Sequence, residues 1–297
     1  GAFAADRPLL GIGLMFGFCA LAPIGDALAK VLGETVPLIQ LLLARFMVQA
    51  IVLAPLAPRG GRTSRRVLRL IWTRTVLHIL GIGAMFTSLR FLPLADAVAI
   101  AFVMPFIMLL LGRYVLDEVV GPRRLAACAV GFIGTMLVVQ PSFAEVGAPA
   151  LLPLFVAVLF AGFMLVTRQV AKEIDPIRMQ FISGLMASAM LLPLFLIGAA
   201  FAPHTLLGAV VPGGFEAGLL LLIGVLGTVA HLLMTWSLRF APSATVAPMQ
   251  YLEIPFATLV GWMIFHELPN GLAAIGILIT CAAGLYIIAR ERAVSRL

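Results

Sequence analysis

Ten long apolar segments follow one another along the chain, separated by short polar connections. A helix needs about 20 mostly apolar residues to cross the hydrocarbon core of a bilayer. Because backbone groups in lipid must bond to one another, such segments fold as helices. The predicted spans are 9–32, 37–56, 70–92, 94–114, 125–140, 151–168, 176–199, 216–238, 241–265 and 272–290. The sequence therefore predicts an all-α integral membrane protein with ten transmembrane helices.

Composition agrees with this fold class. Hydrophobic residues make up 62% of the chain and charged residues only 11%, whereas a soluble domain carries about 25% charged residues. The net charge of +7 does not indicate nucleic-acid binding, because the arginines stand in short clusters between apolar segments. The three cysteines lie inside apolar segments without the spacing of metal or disulfide sites. No metal, cofactor or disulfide is therefore expected.

The distribution of Lys and Arg predicts the orientation of the chain. The connection 59–66 contains four arginines, and strongly basic connections stay on the cytoplasmic side. With that connection inside, most other basic residues also fall inside, whereas the connections 141–149 and 202–215 are poor in Lys and Arg. Both termini are then cytoplasmic, as an even number of spans requires. The expected location is the bacterial inner membrane, as a multi-pass protein.

The sequence repeats itself at half its length. Residues 85–93 align without a gap on residues 234–242, and both stretches contain Ser-Leu-Arg-Phe. Further along, Phe102 aligns with Tyr251. Five spans in each half place the second half upside down relative to the first, an arrangement found in secondary transporters. Two inverted five-helix repeats are therefore predicted, at 8–141 and 149–290.

The same features follow in the same order in both halves. A span ends in Ser-Leu-Arg-Phe, a proline-broken span follows, an acidic turn ends in Glu118 or Glu267, and a glycine-rich span closes the module. In this order of features the chain resembles the drug/metabolite transporter superfamily, EamA type, and within it the amino-acid exporters of the YddG kind. The resemblance covers nearly all of the chain. It implies two five-helix bundles around a central cavity, alternating access, and export of metabolites from the cytoplasm.

Ionisable residues inside the predicted spans are candidates for function, because such groups are costly in lipid. Arg45 and Glu253 lie at similar depths in the second and ninth spans. They can form an ion pair between the halves, either for transport or coupling or only to fix packing. Asp26 can pair with Lys30 four residues on, or can serve as a proton site. His231 is expected to be a buried histidine with its hydrogen bonds satisfied.

Other residues are candidates for the walls of the substrate cavity. His78 and Met85 share a similar face of the third span, which suits a cavity wall or helix packing. Gln250 and Glu253 share one face of the ninth span, so both are candidates for the cavity wall. The aligned pair Phe102 and Tyr251 are expected to form facing walls, or to pack between spans.

Three prolines are expected to interrupt the fourth and ninth spans. Pro105 lies in the fourth span, and Pro248 and Pro255 lie in the ninth. Proline removes a backbone hydrogen bond and bends a helix. We interpret the three as hinges that help the broken helices rock, with static kinks as the alternative.

These observations predict a transporter and not an enzyme. No hydrolase, zinc-protease or nucleotide-binding motif occurs in a usable context. The expected function is export of small amphipathic metabolites, above all neutral or aromatic amino acids. The alternatives are a proton-coupled drug or cation exporter and a membrane channel. The expected partners are a small-molecule substrate and the lipid bilayer, without nucleic acid, and the sequence leaves monomer and dimer open.

Overall fold

A computed structural model describes residues 7–58, 63–117, 121–202 and 204–294. These residues form α-helices and short 3₁₀ turns, with no β-strand among them. The α-helices are α1 (Pro8–Leu32), α2 (Leu38–Leu53), α3 (Arg65–Ser88), α4 (Leu94–Ala101), α5 (Met104–Val115), α6 (Pro122–Val146), α7 (Leu152–Ala171), α8 (Pro176–Phe201), α9 (Gly214–Phe240), α10 (Ser243–Val246), α11 (Glu253–Phe265) and α12 (Gly271–Val294).

Six segments of the described chain are long and apolar enough to cross a membrane. They are Pro8–Leu32, Arg65–Ser88, Leu94–Val115, Ala148–Ala171, Pro176–Phe201 and Gly214–Phe240. Shorter apolar helices cover Leu38–Leu53, Leu125–Leu137 and Gly271–Tyr286. The predicted all-helical membrane class is thus confirmed, whereas the count of ten spans and their inverted arrangement stay predictions.

Local sequence explains where two of the long helices begin. The Ser64 side chain accepts a hydrogen bond from the Val67 backbone N–H at 3.2 Å, at the start of α3. The Asp175 carboxylate accepts from the N–H groups of Ile177 and Arg178 at 2.9 and 3.1 Å, at the start of α8. Such caps satisfy backbone donors that the first helical turn leaves free. Both helices therefore begin directly after a polar connection.

Two apolar segments are broken at aligned positions of the sequence repeat. In the first half, α4 ends at Ala101 and α5 begins at Met104, with Pro105 in its first turn. In the second half, a 3₁₀ stretch at Ala247–Leu252 precedes α11. Proline fits the first turn of a helix because the N–H groups of that turn have no acceptor within the helix, so the missing N–H of proline breaks no hydrogen bond. The expected bend at Pro105 is therefore the start of a new helix.

The principal helix contacts join the first half of the chain to the second. α1 packs along α9, α3 along α7, α2 along α8, and α6 along α12. At the last contact a Cβ on Gly134 would lie 2.7 Å from the carbonyl oxygen of Gly276, so only glycine allows this approach. The two halves are thus packed together along their length, and a cavity lies where α1, α2, α3, α7 and α9 meet the two broken segments.

Candidate functional site

The cavity between the halves has an empty volume of about 820 Å³, its opening included. Most of its wall is apolar. Aromatic rings come from three of the surrounding helices and from the break between α4 and α5, and methionines fill the spaces between them. The aromatic and methionine residues of the wall are Phe18, Phe86, Phe102, Phe160, Met85, Met104, Met164 and Met234. Against this apolar wall stand a few polar side chains, and these define the chemistry of the site.

Arg45 carries the positive charge of the cavity wall. Its side chain comes from α2, and its Nη2 atom lies 3.0 Å from Nδ1 of His231 on α9. The guanidinium lies flat against α9 at Gly227, where an added Cβ would come within 2.9 Å of Nε. Its other terminal nitrogen, Nη1, is buried and has no hydrogen-bond partner in the described part of the chain. One donor of Arg45 is therefore available to a solute in the cavity.

His231 also lines the cavity. Its Nδ1 atom lies 3.0 Å from Nη2 of Arg45 and 2.9 Å from the carbonyl oxygen of Gly227. Because an arginine only donates and a carbonyl oxygen only accepts, the first contact requires Nδ1 to accept and the second requires it to donate, so the two contacts favour opposite tautomers. Nε2 is buried and has no partner among the described residues. The expectation of a histidine with its hydrogen bonds satisfied therefore holds for Nδ1 and fails for Nε2.

Two carboxylates line the same cavity. Asp26 comes from α1, and Glu253 is the first residue of α11. The predicted ion pair between Arg45 and Glu253 is not formed. The alternative pair of Asp26 with Lys30 is not formed either, because Lys30 turns away to bind Glu267, with Nζ 2.7 Å from Oε1 and 2.9 Å from Oε2. Asp26 is left facing the cavity.

Gln250 completes the polar part of the wall. It lies in the 3₁₀ stretch before α11, and its Nε2 atom is 2.9 Å from the sulfur of Met164. Its Oε1 atom is buried without a hydrogen-bond partner among the described residues. Met85, expected to line the cavity, does so from α3. Gln250 thus presents an acceptor, Arg45 presents a donor, and His231 presents a ring nitrogen without a partner among the described residues.

His78 lies one layer behind the wall rather than in it, contrary to expectation. Its ring stacks on Phe163 with centroids 4.4 Å apart, lies 4.4 Å from the ring of His231, and meets Phe46 edge-on at 5.2 Å. Met85 lies two turns further along the same face of α3 and lines the cavity, whereas the cavity does not extend as far as His78. His78 supports the ring of His231 and is not exposed to a solute in the cavity.

The aligned aromatics Phe102 and Tyr251 are in contact but play different parts. Their ring centroids lie 5.7 Å apart. Phe102 lines the cavity, whereas Tyr251 is fully buried behind it and donates a hydrogen bond to the carbonyl oxygen of Cys128 at 3.2 Å. The Tyr251 ring occupies the space over Gly131, where an added Cβ would approach it to 2.4 Å. Tyr251 therefore does not form the second facing wall that the alignment suggested.

The three prolines all lie in the broken segments. Pro105 and Pro255 belong to the first turns of α5 and α11. Pro248 belongs to the 3₁₀ stretch, and its side chain lies outside the described residues. The structure therefore places them next to the breaks. Their action as hinges stays a prediction.

A second buried arginine, Arg74, was not predicted from the sequence as a residue of interest. Arg74 of α3 is fully buried, and all three of its nitrogens have partners. Nε donates to Thr167 at 2.9 Å, Nη1 to Ser183 at 3.2 Å and Gln180 at 3.4 Å, and Nη2 to Thr235 at 3.4 Å. Its position inside the predicted span 70–92 was the signal that could have identified it. We call Arg74 and these four partners the arginine clamp, because they tie α3 to α7, α8 and α9.

The family match and the named relatives agree on the class of protein. The EamA-like transporter family matches residues 9–140 and again residues 148–290. A riboflavin transporter of Rhizobium johnstonii is 33% identical over 222 residues, which are 74% of this chain and 70% of the relative. An S-adenosylmethionine uptake transporter of Rickettsia prowazekii is 24% identical over 91% of this chain and 89% of its own length.

Export also occurs among the relatives. A pseudopaline exporter of Pseudomonas aeruginosa is 26% identical over 87% of this chain and 89% of its own length.

A solved crystal structure superposes on this fold with a TM-score of 0.69, at 21% identity, over 93% of this chain and 94% of the other. The family match covers both halves of the sequence. The protein is therefore a transporter and not an enzyme, and it belongs to the EamA-like transporter family.

Proposed function

We propose that the protein is a secondary transporter that carries a small amphipathic metabolite through the central cavity by alternating access. Neutral or aromatic amino acids, exported from the cytoplasm, are the first candidates. The observation that supports this proposal is the cavity itself, in which a few buried polar groups stand among aromatic and methionine side chains. A solute with a polar head and an apolar body matches both parts of that wall.

The proposal includes ten spans in two inverted repeats, 8–141 and 149–290. The contacts between helices support it. α1 and α3 correspond to α7 and α9 in the sequence repeat, so the pairs α1–α9 and α3–α7 are equivalent contacts. α2 and α6 each pack on their own counterpart, α8 and α12. An approximate twofold axis between the halves accounts for this pattern, as does the separate family match of each half.

We further propose that both termini face the cytoplasm in the bacterial inner membrane. Basic residues support this orientation because several meet at one end of the bundle. The Arg7 backbone N–H bonds to the carbonyl oxygen of Phe240 at 2.6 Å, and Arg66 pairs with Glu173 at 2.6 Å. Arg239 donates to two carbonyl oxygens around the end of α7. Arginine collected at one end is typical of a cytoplasmic face.

The named relatives favour a second candidate function, which is uptake of a larger heteroaromatic metabolite. Two of them are called transporters of riboflavin and of S-adenosylmethionine. The aromatic wall suits a flat ring as well as it suits an aromatic amino acid. This candidate shares the cavity of the first proposal but differs in substrate and direction.

Counterflow in proteoliposomes tests both candidates. Vesicles are preloaded with unlabelled phenylalanine, methionine, S-adenosylmethionine or riboflavin, and uptake of the same labelled solute is followed with and without a pH gradient. Saturable counterflow of one or more solutes is expected. A dependence on the pH gradient favours the proton-coupled exporter, and a current without saturation favours a channel. No movement of any of the four solutes rules out the proposed substrates.

A further inference from the structure

We propose that the cavity recognises a zwitterionic head group of the α-amino-acid kind. Arg45 and His231 bind its carboxylate, and Glu253, Asp26 and Gln250 bind its ammonium group or another cation of the solute. This inference rests on the proposed transport function and narrows its substrate class. It also assigns each polar residue of the cavity to one end of the head group.

The carboxylate end rests on two adjacent donors. Arg45 is only 3% exposed, and its Nη1 has no partner among the described residues. His231 is 6% exposed, and its Nε2 has no partner among the described residues. In the tautomer in which Nδ1 accepts from Arg45, Nε2 carries the ring proton and can donate. A buried donor without a partner is costly, and the cost is larger for a charged group. A carboxylate supplies acceptors to both nitrogens, and arginine binds it more strongly than it binds a neutral carbonyl group.

The cationic end rests on acceptors from two other elements. Glu253 is 8% exposed and Gln250 is fully buried, yet Oε1 of Gln250 has no partner in the described chain. Asp26 lines the cavity from α1 and lies within electrostatic range of both Arg45 and Glu253. Asp26 and Glu253 form no ion pair with any described residue. An ammonium group supplies three donors to these oxygens.

Counting charges separates a zwitterion from a neutral solute. The lining contains one guanidinium and two carboxylates. A buried charge is tolerated when it is paired, so a solute that brings one anionic group and at least one cationic group leaves fewer of these charges unmatched. A neutral ring system brings neither. Among the substrates named for the relatives, S-adenosylmethionine has an α-amino carboxylate, whereas riboflavin has none.

The apolar remainder of the cavity wall can accept solute bodies of different shapes. Phe18, Phe86, Phe102 and Phe160 offer ring faces, and the methionines adapt their shape to what they contact. A specific head-group site beside such a wall predicts strict selection of the head and tolerance of different side chains. This pattern distinguishes the inference from a general affinity for aromatic compounds.

Solutes that lack one or both ionic groups of the head test the inference. Affinities are measured by calorimetry with the full chain in nanodiscs for L-phenylalanine, phenylalaninamide, 3-phenylpropionate, S-adenosylmethionine and 5′-methylthioadenosine. In the wild type, loss of the carboxylate or of the amine is expected to weaken binding about 10- to 100-fold. In Arg45→Met the loss of the carboxylate has little further effect, and in Glu253→Gln the loss of the amine has little further effect.

The controls separate recognition from folding. Arg66→Met removes the same charge from a side chain that is 66% exposed and remote from the cavity, so it should keep the wild-type head-group selectivity. Arg45→Lys keeps the charge and should restore part of the preference for the carboxylate. Each variant is first shown to be monodisperse with a wild-type thermal transition.

The outcomes are distinct. Equal loss of affinity for the truncated solutes in the wild type and in Arg45→Met overturns the assignment of Arg45. Counterflow of riboflavin, with none of phenylalanine, methionine or S-adenosylmethionine, overturns the zwitterion inference but leaves a functioning transporter. Absence of counterflow for every solute rejects the proposed substrates and this inference together.

Discussion

The two buried arginines Arg45 and Arg74 stand in comparable helices but in opposite chemical situations. Both belong to the first half of the chain, and both are buried. Every nitrogen of Arg74 has a partner within the arginine clamp. Arg45 has one partner, His231, and an Nη1 without any among the described residues. A satisfied buried charge holds helices together, whereas an unsatisfied one beside a cavity is available to a ligand. Burial alone does not separate these roles.

Loss of the arginine clamp should have the largest effect on stability. Arg74→Met removes one donor from each of four buried oxygen atoms on α7, α8 and α9. We expect the free energy of unfolding to fall by more than about 2 kcal/mol. Thermal unfolding in detergent, followed by tryptophan fluorescence, measures the change. Wild-type stability together with lost transport would instead assign Arg74 a role like that of Arg45, and the comparison would fail.

A smaller effect is expected from Gly227→Ala, which moves Arg45 without removing it. The new Cβ would meet Nε and Nη2 of Arg45 at 2.9 and 3.0 Å, so the guanidinium must shift. We expect transport to fall about tenfold because the donor is displaced, while stability changes by less than about 1 kcal/mol since the side chain can yield.

Gly218→Ala on the same helix is the matched control, because nothing lies within 4 Å of its added Cβ. Both variants gain the same helix propensity from alanine. Initial rates of counterflow for the two should therefore differ. Equal rates would show that the position of the Arg45 guanidinium does not matter for transport.

The smallest effect is expected for Lys30→Met. Lys30 pairs with Glu267 on a partly exposed surface, with side chains 16% and 34% exposed. Such a pair contributes about 1 kcal/mol or less. Selection between phenylalanine and 3-phenylpropionate, which lacks the amine, should be unchanged, because Lys30 binds Glu267 and not Asp26. An altered selection, measured in the same binding assay, would mean that Lys30 acts on the cavity through Asp26.

Hydrophobic runs were sufficient to predict the class of fold and the position of most helices, because the bilayer leaves a chain few alternatives. Proline located both broken segments, although at Pro105 it starts a helix rather than bending one. Depth along the helix placed Arg45 and Glu253 near one another, and both line the cavity.

Partners between helices could not be predicted in the same way. The contact of Arg45 with His231 depends on how α2 packs against α9. No local sequence pattern predicts the angle between these two helices. His78, expected from its helical face, and Tyr251, expected from its alignment with Phe102, both lie behind the wall. Packing between helices decides which residues border the cavity, and the sequence does not show that packing. Arg74 resembled an ordinary residue near the end of a span, and only its four partners reveal the clamp.

The aligned pair Phe102 and Tyr251 shows how little is needed to make two copies of one segment differ. The two side chains differ by a single oxygen atom. In the second copy that atom bonds to the Cys128 carbonyl, and the ring fills the notch above Gly131. In the first copy there is no such anchor, and the ring borders the cavity. The hydroxyl group of Tyr251 thus accompanies different roles for the two aligned rings: Phe102 lines the cavity, and Tyr251 supports the wall from behind.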